Sequence, residues 1–389
     1  MVLSVVGIIV AVVGLGFLIL AHEFGHFIVA KATGMRVEEF SLGFGRYLVS
    51  RRIGETVYGI SALPLGGYVR VTGMHREEFE ARVVEAGQDE ARARAERVTR
   101  RPQDPEDRLA GPRALTAAEI AATPPARRYY THPLWHKLIF IVAGVAMNMV
   151  VAFLLIYAVG LGQGESLTST VIEKVDAGTP AAAAGVQSGD RIVSLDGKST
   201  DSWEEVRTQI LTNPGETIVL VVERAGAPVE LTASIQKRED GTGYLGVQPA
   251  VEHRDLGAID AFGYAGRTTG SMVVLIFKGI GMMLTGQVKV TGSQGLAGPV
   301  GIIQLSSEAF QGGYYLMLLA LISVNLAILN MLPLLPLDGG HVLFSIIERI
   351  RGRSLSLRVF ERISMVGLAL FLLLFVIATS NDIGRIFGG

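Results

Sequence analysis

The sequence predicts a polytopic α-helical membrane protein with four transmembrane helices, a β-hairpin sheet on the cytoplasmic side and an inserted extracytoplasmic α+β domain. Three observations predict this class. The chain has 389 residues and is 49% hydrophobic, which is too apolar for an ordinary soluble protein. Four stretches lack any charged residue, and each is long enough to cross a bilayer, which takes about 20 residues. The segments between them change abruptly to charged, glycine-punctuated or alternating patterns.

The four uncharged stretches are the predicted spans. They are residues 1–21, 138–164, 309–337 and 363–381. The first has no basic segment before it and no small-residue cleavage site, and it runs straight into His22. This favours a retained helix over a signal peptide. Segments 31–137 and 349–362 are rich in Arg, so we expect both to face the cytoplasm, with the two termini and 165–308 outside.

The connecting segments differ in character. Residues 36–72 alternate and are broken by glycines, which predicts hairpins. These form either a small cytoplasmic sheet or a sheet dipping into the membrane beside the end of the first span, where His22 lies. Residues 75–130 are rich in Ala, Arg and Glu, and predict a mobile loop with one short charged helix. Residues 271–285 are apolar but contain Lys278, which favours an interfacial amphipathic helix.

Residues 166–250 have the pattern of a soluble domain. A strand precedes a short helix that Thr179-Pro180 opens, and a second strand, an amphipathic helix and a hairpin follow. The spacing of Pro180, Gly185 and Gly189-Asp190 resembles that of a PDZ domain. Such domains bind an extended peptide or a carboxyl terminus by strand addition. A steric filter that binds no peptide is the alternative.

The expected organisation is therefore a chain of eight segments. They are helix 1 with the His motif (1–30), a hairpin region (31–74), a charged cytoplasmic loop (75–130), helix 2 (136–164), the PDZ domain (166–250), an interfacial helix and Gly-rich loop (258–308), helix 3 (309–340) and helix 4 (361–381).

Composition limits the chemistry. The net charge is −1, so nothing points to nucleic acid. The absence of cysteine excludes disulfides, thiolate nucleophiles and Cys-type zinc sites, so a transition metal would need His and carboxylate ligands.

A His-Glu-x-x-His motif lies at the end of the first uncharged stretch. His22 and His26 are four residues apart, so a helix projects both imidazoles from one face. Glu23 lies beside the first ligand, where it can take a proton from a zinc-activated water without coordinating the metal. Ionisable groups in a membrane helix are costly and usually mark function.

A catalytic zinc needs three protein ligands and an open position. Asp338 ends the uncharged stretch 309–337, and the expected orientation places it at the same depth as His22 and His26. An Asp before Gly-Gly is also a common helix stop. His341 is a competing ligand, and we interpret it as structural.

At these residues the sequence resembles the site-2 protease family of intramembrane zinc metalloproteases, of the bacterial regulator-of-sigma-E-protease type. The resemblance rests on HEFGH, LPLGGYV, GPVGI and NMLPLLPLDGG, at 22–26, 63–69, 298–302 and 330–340. It implies one zinc per chain on His22, His26 and Asp338, with Glu23 as the catalytic base. It also implies substrate or oxyanion contacts, which would fall to Asn330, Leu65, Gly66, Gly67 and Tyr68.

The resemblance further implies hydrolysis of a peptide bond within the transmembrane segment of single-span proteins, such as anti-sigma factors or signal-peptide remnants. It implies a multi-pass protein of the bacterial cytoplasmic (inner) membrane, with the PDZ domain extracytoplasmic and the active site toward the cytoplasm. Its partners would be those substrates, membrane lipid and a peptide at the PDZ domain, with no nucleic acid. One departure is a single PDZ domain where many relatives carry two. The alternatives are a catalytically silent, membrane-anchored PDZ adaptor and a transporter with a metal site.

Overall fold

A computed structural model describes residues 5–74, 76–97, 115–238, 241–287, 297–353 and 356–387. The chain forms two compact units, one of residues 1–158 with 265–389 and one of residues 159–264. The helices are α1 (Val5–Ala32), α2 (Arg76–Arg97), α3 (Ala117–Ala121), α4 (Leu134–Gln163), α5 (Pro180–Ala183), α6 (Trp203–Thr212), α7 (Ala258–Leu284), α8 (Pro299–Gln311), α9 (Tyr315–Asn330), α10 (Asp338–Arg351) and α11 (Leu357–Phe387). The strands are β1 (Val37–Ile53), β2 (Thr56–Val71), β3 (Glu165–Val175), β4 (Arg191–Leu195), β5 (Lys198–Ser199), β6 (Thr217–Arg224), β7 (Ala227–Ser234), β8 (Gln236–Lys237), β9 (Gly243–Tyr244) and β10 (Val247–Arg254).

Within the described residues, four helices are long and apolar enough to cross a membrane, namely α1, α4, α7 and α11. This set differs from the predicted one at its third member. Helix α7, which we expected to be interfacial, meets the requirement by length and composition. Its placement along the membrane surface stays a prediction.

The uncharged stretch 309–337 is not one helix, which corrects the expected helix 3. It comprises the end of α8, a turn, the 16-residue helix α9 and an irregular segment at 331–337. Pro333 and Pro336 lack a backbone donor and clash with the preceding turn, so the helix ends before them. Asp338 therefore begins α10 instead of ending a span.

Contacts among α1, α4 and α9 establish their directions. The Tyr315 hydroxyl, at the start of α9, donates to the backbone oxygen of Val10. Further along both helices, Leu319 packs with Leu18, so α9 runs parallel to α1. Helix α4 runs the opposite way, because its early residue Phe140 lies beside His26 and its later residue Val151 lies beside Leu18.

Strands β1 and β2 form one antiparallel hairpin. Phe27 of α1 packs against Phe40 and Tyr58, so the hairpin lies against α1. The Tyr68 and Tyr47 hydroxyls both donate to the Glu39 carboxylate, at 2.7 and 3.0 Å. This polar cluster ties the two strands together.

The region expected as a mobile loop contains more regular structure than one short helix. Helix α2 has 22 residues, and residues 98–114 lie outside the described part. Segment 115–131 is held to the hairpin because Arg127 donates to Glu55 at 2.7 and 2.8 Å, and Arg52 donates to Glu119 at 2.9 and 3.2 Å. The Arg127 guanidinium, and then Lys31, holds the pKa of Glu55 at about 2.

The second unit contains a six-stranded sheet in the order β10-β3-β4-β6-β7, with β5 paired to β4. Helix α5 follows the first strand of this unit, and α6 precedes the hairpin of β6 and β7, as the turn residues predict. Thr179 caps α5 and Ser202 caps α6, each accepting a hydrogen bond from a backbone amide of the first turn. The core is fully enclosed and includes Ile172, Leu195, Val206 and Leu220.

Candidate active site

Helix α1 brings His22 and His26 to one face, as their spacing predicts. The two Nε2 atoms lie 3.2 Å apart, and the residues are 8% and 6% exposed. The Nδ1–H of His26 donates to the backbone oxygen of Phe140 at 2.8 Å. The Nε2 atom of a neutral His26 therefore keeps its lone pair for a metal.

Asp338 reaches the two imidazoles from the first turn of α10. Its Oδ2 atom lies 3.0 Å from His22 Nε2 and 3.3 Å from His26 Nε2. The irregular segment before it packs closely, since Cβ atoms at Gly339 and Gly340 would collide with backbone atoms of residues 331–335. The two glycines thereby let α10 begin at the depth of the imidazoles.

The donor set fits a zinc ion. Bonds of about 2.0 Å in a tetrahedron place neighbouring ligand atoms about 3.3 Å apart. The three edges here are 3.0, 3.2 and 3.3 Å. The Asp338 Oδ2 atom is buried without a hydrogen-bond partner among the described residues. Within that part of the chain, His22, His26 and Asp338 are the one group of three metal-binding side chains.

Helix α4 covers the site with a glycine. A Cβ atom at Gly144 would lie 2.7 Å from His22 Nε2 and would collide with His26 Nε2. Gly25 of α1 packs in return on α4, where a Cβ atom would lie 2.8 Å from the Cβ atom of Met147. The space beside the imidazoles therefore depends on glycine at position 144.

Asn148 lies one turn further along α4 and is fully buried. Its side-chain amide lies 3.4 Å from the Nδ1 atom of His22. Sequence reasoning missed Phe140, Gly144 and Asn148, although a lone Asn in an uncharged span is a signal that could have identified the last of them.

Strand β2 lies beside Glu23. The Glu23 side chain accepts a hydrogen bond from the backbone amide of Val69. A Cβ atom at Gly67 would lie 2.8 Å from Glu23 Cγ and 2.9 Å from the backbone oxygen of Ser41. Of the two interpretations of the hairpin, this contact favours the sheet beside the active site.

The other candidate residues are distributed as follows. Gly66 has a φ of +128° and packs on Phe44, whose ring stacks with Tyr68 at 6.1 Å. Leu65 lies in β2, but its side chain is outside the described part. Asn330 is the last residue of α9 and is half-buried. Their roles toward substrate stay predictions.

His341 does not belong to the metal-binding group. It lies one turn into α10, and its ring contacts Phe360 of α11 at 5.5 Å. This placement agrees with its interpretation as a structural residue.

Two buried His side chains on an apolar helix, with a carboxylate within reach of both and a glutamate beside them, define a class of metal-dependent membrane hydrolase. The family model of peptidase family M50 matches residues 10–374, and the chain belongs to this family. It is a membrane-embedded zinc metalloprotease of the site-2 type.

Named relatives cover the chain almost completely. The zinc metalloprotease RasP of Shouchella clausii is 30% identical over 95% of this chain and 97% of its own length. The regulator of sigma-W protease RasP of Bacillus subtilis is 27% identical over 98% of this chain and 99% of its own length. Among solved structures, the PDZ domain of the SdrC-like protein of Listeria innocua is 22% identical over 23% of this chain and 99% of that chain, with a TM-score of 0.20.

Proposed function

We propose that this protease hydrolyses a peptide bond within the transmembrane segment of single-span membrane proteins, using one zinc ion on His22, His26 and Asp338. The observation that carries the proposal is the convergence of two imidazoles from the apolar helix α1 with the carboxylate at the start of α10, with ligand-atom separations of 3.0 to 3.3 Å. A silent adaptor would gain nothing from burying three such groups together, because each costs desolvation energy.

Glu23 is the proposed base. Zinc in such a site polarises the substrate carbonyl and makes a water molecule easier to deprotonate. Glu23 takes a proton from the attacking water and later delivers it to the leaving amine. Its hydrogen bond from the Val69 amide fixes the carboxylate beside β2. Asn330 is proposed to stabilise the developing oxyanion as a hydrogen-bond donor.

Strand β2 is proposed to hold the substrate in an extended form. A helix has its carbonyls engaged in hydrogen bonds and must unwind before one can react. An unpaired strand edge offers the unwound segment new backbone partners. Residues 65–68 adjoin Glu23 through Gly67, which supports this placement of the substrate.

We propose that the active site faces the cytoplasmic side and that the PDZ-type domain is extracytoplasmic. Lys31 and Arg36 follow His22 and His26 at and just after the end of α1, which agrees with the positive-inside rule. Proposed substrates are anti-sigma factors or signal-peptide remnants. The first of these agrees with the name of the Bacillus subtilis relative, regulator of sigma-W protease.

The test uses the purified full chain in detergent with a panel of single-span bacterial membrane proteins. Glu23→Gln should reduce cleavage by about 10²- to 10⁴-fold and retain zinc, because the amide cannot accept the proton. Glu204→Gln, on the exposed face of α6, is the matched control and should cleave normally. Equal cleavage by Glu23→Gln, or wild-type protein without zinc, would overturn the proposal and favour the adaptor.

A further inference from the structure

Asn148 makes an incomplete set of hydrogen bonds in a fully buried position. Its side-chain nitrogen lies 3.4 Å from the Nδ1 atom of His22, while its Oδ1 atom has no partner among the described residues. The residue is 0% exposed, so water cannot satisfy either atom from the surface. A buried carboxamide with an unpaired oxygen lowers the stability of the fold, so its position needs an explanation.

The tautomer of His22 determines which atom of Asn148 must face it. This step depends on the proposed function, in which the Nε2 atom of His22 binds the metal. A neutral imidazole that offers Nε2 as a lone pair has its proton on Nδ1, so Nδ1 is a donor and needs an acceptor. An amide nitrogen cannot accept. Rotating the Asn148 amide by 180° brings the otherwise unpaired Oδ1 atom to His22.

We propose that Asn148 is a positioning residue whose side-chain oxygen accepts the Nδ1–H of His22 and thereby fixes the ring and its metal-binding tautomer. His26 already has the equivalent contact, because its Nδ1–H donates to the backbone oxygen of Phe140 at 2.8 Å. Both imidazoles are then oriented from the same neighbouring helix. Such outer contacts raise ligand basicity and fix ring orientation in metal sites.

One stripe of α4 supplies the whole arrangement. Phe140, Gly144 and Asn148 are spaced by four residues and so lie on one face of the helix. The first supplies a carbonyl to His26, the second leaves room for both rings, and the third supplies the acceptor for His22. The α4 face therefore acts as an outer shell for ligands that α1 carries.

The competing account is that Asn148 only fills space between helices. The Asn148→Leu variant distinguishes the positioning role from the space-filling role, since leucine supplies apolar volume but no hydrogen-bond acceptor. Asn148→Asp is the conservative variant, because its carboxylate is nearly isosteric and accepts from Nδ1–H. Ser323→Ala is the matched control. The Ser323 hydroxyl donates to the backbone oxygen of Asn148 at 2.8 Å without taking part in the His22 contact.

The experiment measures zinc per chain by elemental analysis, and zinc affinity by chelator competition, in the purified full-length variants. Asn148→Leu should bind zinc roughly 10- to 100-fold more weakly than wild type, and Asn148→Asp should bind within a few-fold of wild type. Ser323→Ala should also keep its zinc. Unfolding midpoints of the zinc-free proteins verify that each variant is folded.

Equal zinc affinity in wild type and Asn148→Leu would overturn the positioning role and leave the proposed function standing. Loss of zinc in Asn148→Asp to the same extent as in Asn148→Leu would also overturn it, because an acceptor would then not suffice. Absence of zinc from wild-type protein would instead defeat the metal site itself, and the inference with it.

Discussion

A Cβ atom on Gly144 would lie 2.7 Å from the Nε2 atom of His22, and real Cβ atoms essentially never approach a heavy atom so closely. The two residues belong to different helices, α4 and α1, and the absence of a side chain at Gly144 leaves the Nε2 atom of His22 accessible. The proposed metal centre therefore depends on a residue that cannot itself bind a metal. Variants near the imidazoles should therefore lose bound zinc, whereas variants near Glu23 should lose proteolytic activity and keep the zinc.

Gly144→Ala should lower zinc affinity by at least 10-fold and abolish proteolysis, because the methyl group would occupy the space between the imidazoles. Zinc per chain and cleavage are measured together. Gly16→Ala in α1 is the control, since a Cβ atom there meets nothing within 4 Å. Retention of full zinc and activity in Gly144→Ala would show that the helices move apart without cost.

Gly67→Ala should reduce cleavage while leaving zinc bound. The new methyl group would press on Glu23 Cγ at 2.8 Å, and none of its three nearest atoms belongs to an imidazole. We expect kcat to fall by 10-fold or more, since a 1 Å displacement of a catalytic group can cost about 10²-fold. Val49→Ala, on the exposed face of the same hairpin, should have no effect. A parallel loss of zinc in Gly67→Ala would contradict this separation.

Asp382→Ala should destabilise the membrane unit by about 2 kcal/mol or more. Asp382 of α11 accepts hydrogen bonds from the backbone amides of Gly298 and Gly301, at 3.0 and 2.9 Å, at the start of α8. Removing the carboxylate leaves buried donors without an acceptor. Unfolding by SDS titration checks this. Thr379→Ala should be nearly neutral, because its exposed hydroxyl bonds only within α11.

The second unit should lose stability in acid through Asp190. The Arg224 guanidinium, followed by the Gln187 backbone amide, lowers the pKa of Asp190 below its ordinary 3.8. A lowered pKa in the folded state means that the stabilisation is present above pH 3.8 and is lost as the pH falls through the folded value. Urea unfolding followed by Trp203 fluorescence, in a Trp135→Phe background, should show this loss. In Asp190→Asn the acid-dependent part should disappear, and an unchanged pH profile in that variant would contradict the assignment.

Local spacing predicted several elements correctly in kind. A spacing of four positions from His22 to His26 suffices to bring two imidazoles to one helix face, and in the structure their Nε2 atoms lie 3.2 Å apart. Proline and glycine positions in 166–250 predicted the order of strands and helices, because each turn there is determined by its own few residues. The ends of the helices, and the division of residues 309–337 into two helices and an irregular segment, were harder to predict. Hydropathy shows that a segment is apolar, but it does not show whether the segment is one unbroken helix.

The sequence by itself determined the membrane class, the inserted region of strands and short helices, and the identity of the candidate ligands. These follow from composition, short-range period and the rarity of charge in apolar segments. Only the tertiary structure decided what surrounds them. Phe140 and Asn148 contact His residues 114 and 126 positions away, and β2 adjoins Glu23 through packing of the hairpin on α1. Contacts between residues so far apart in sequence depend on how whole helices pack, and the local periodicity of the sequence does not predict that packing.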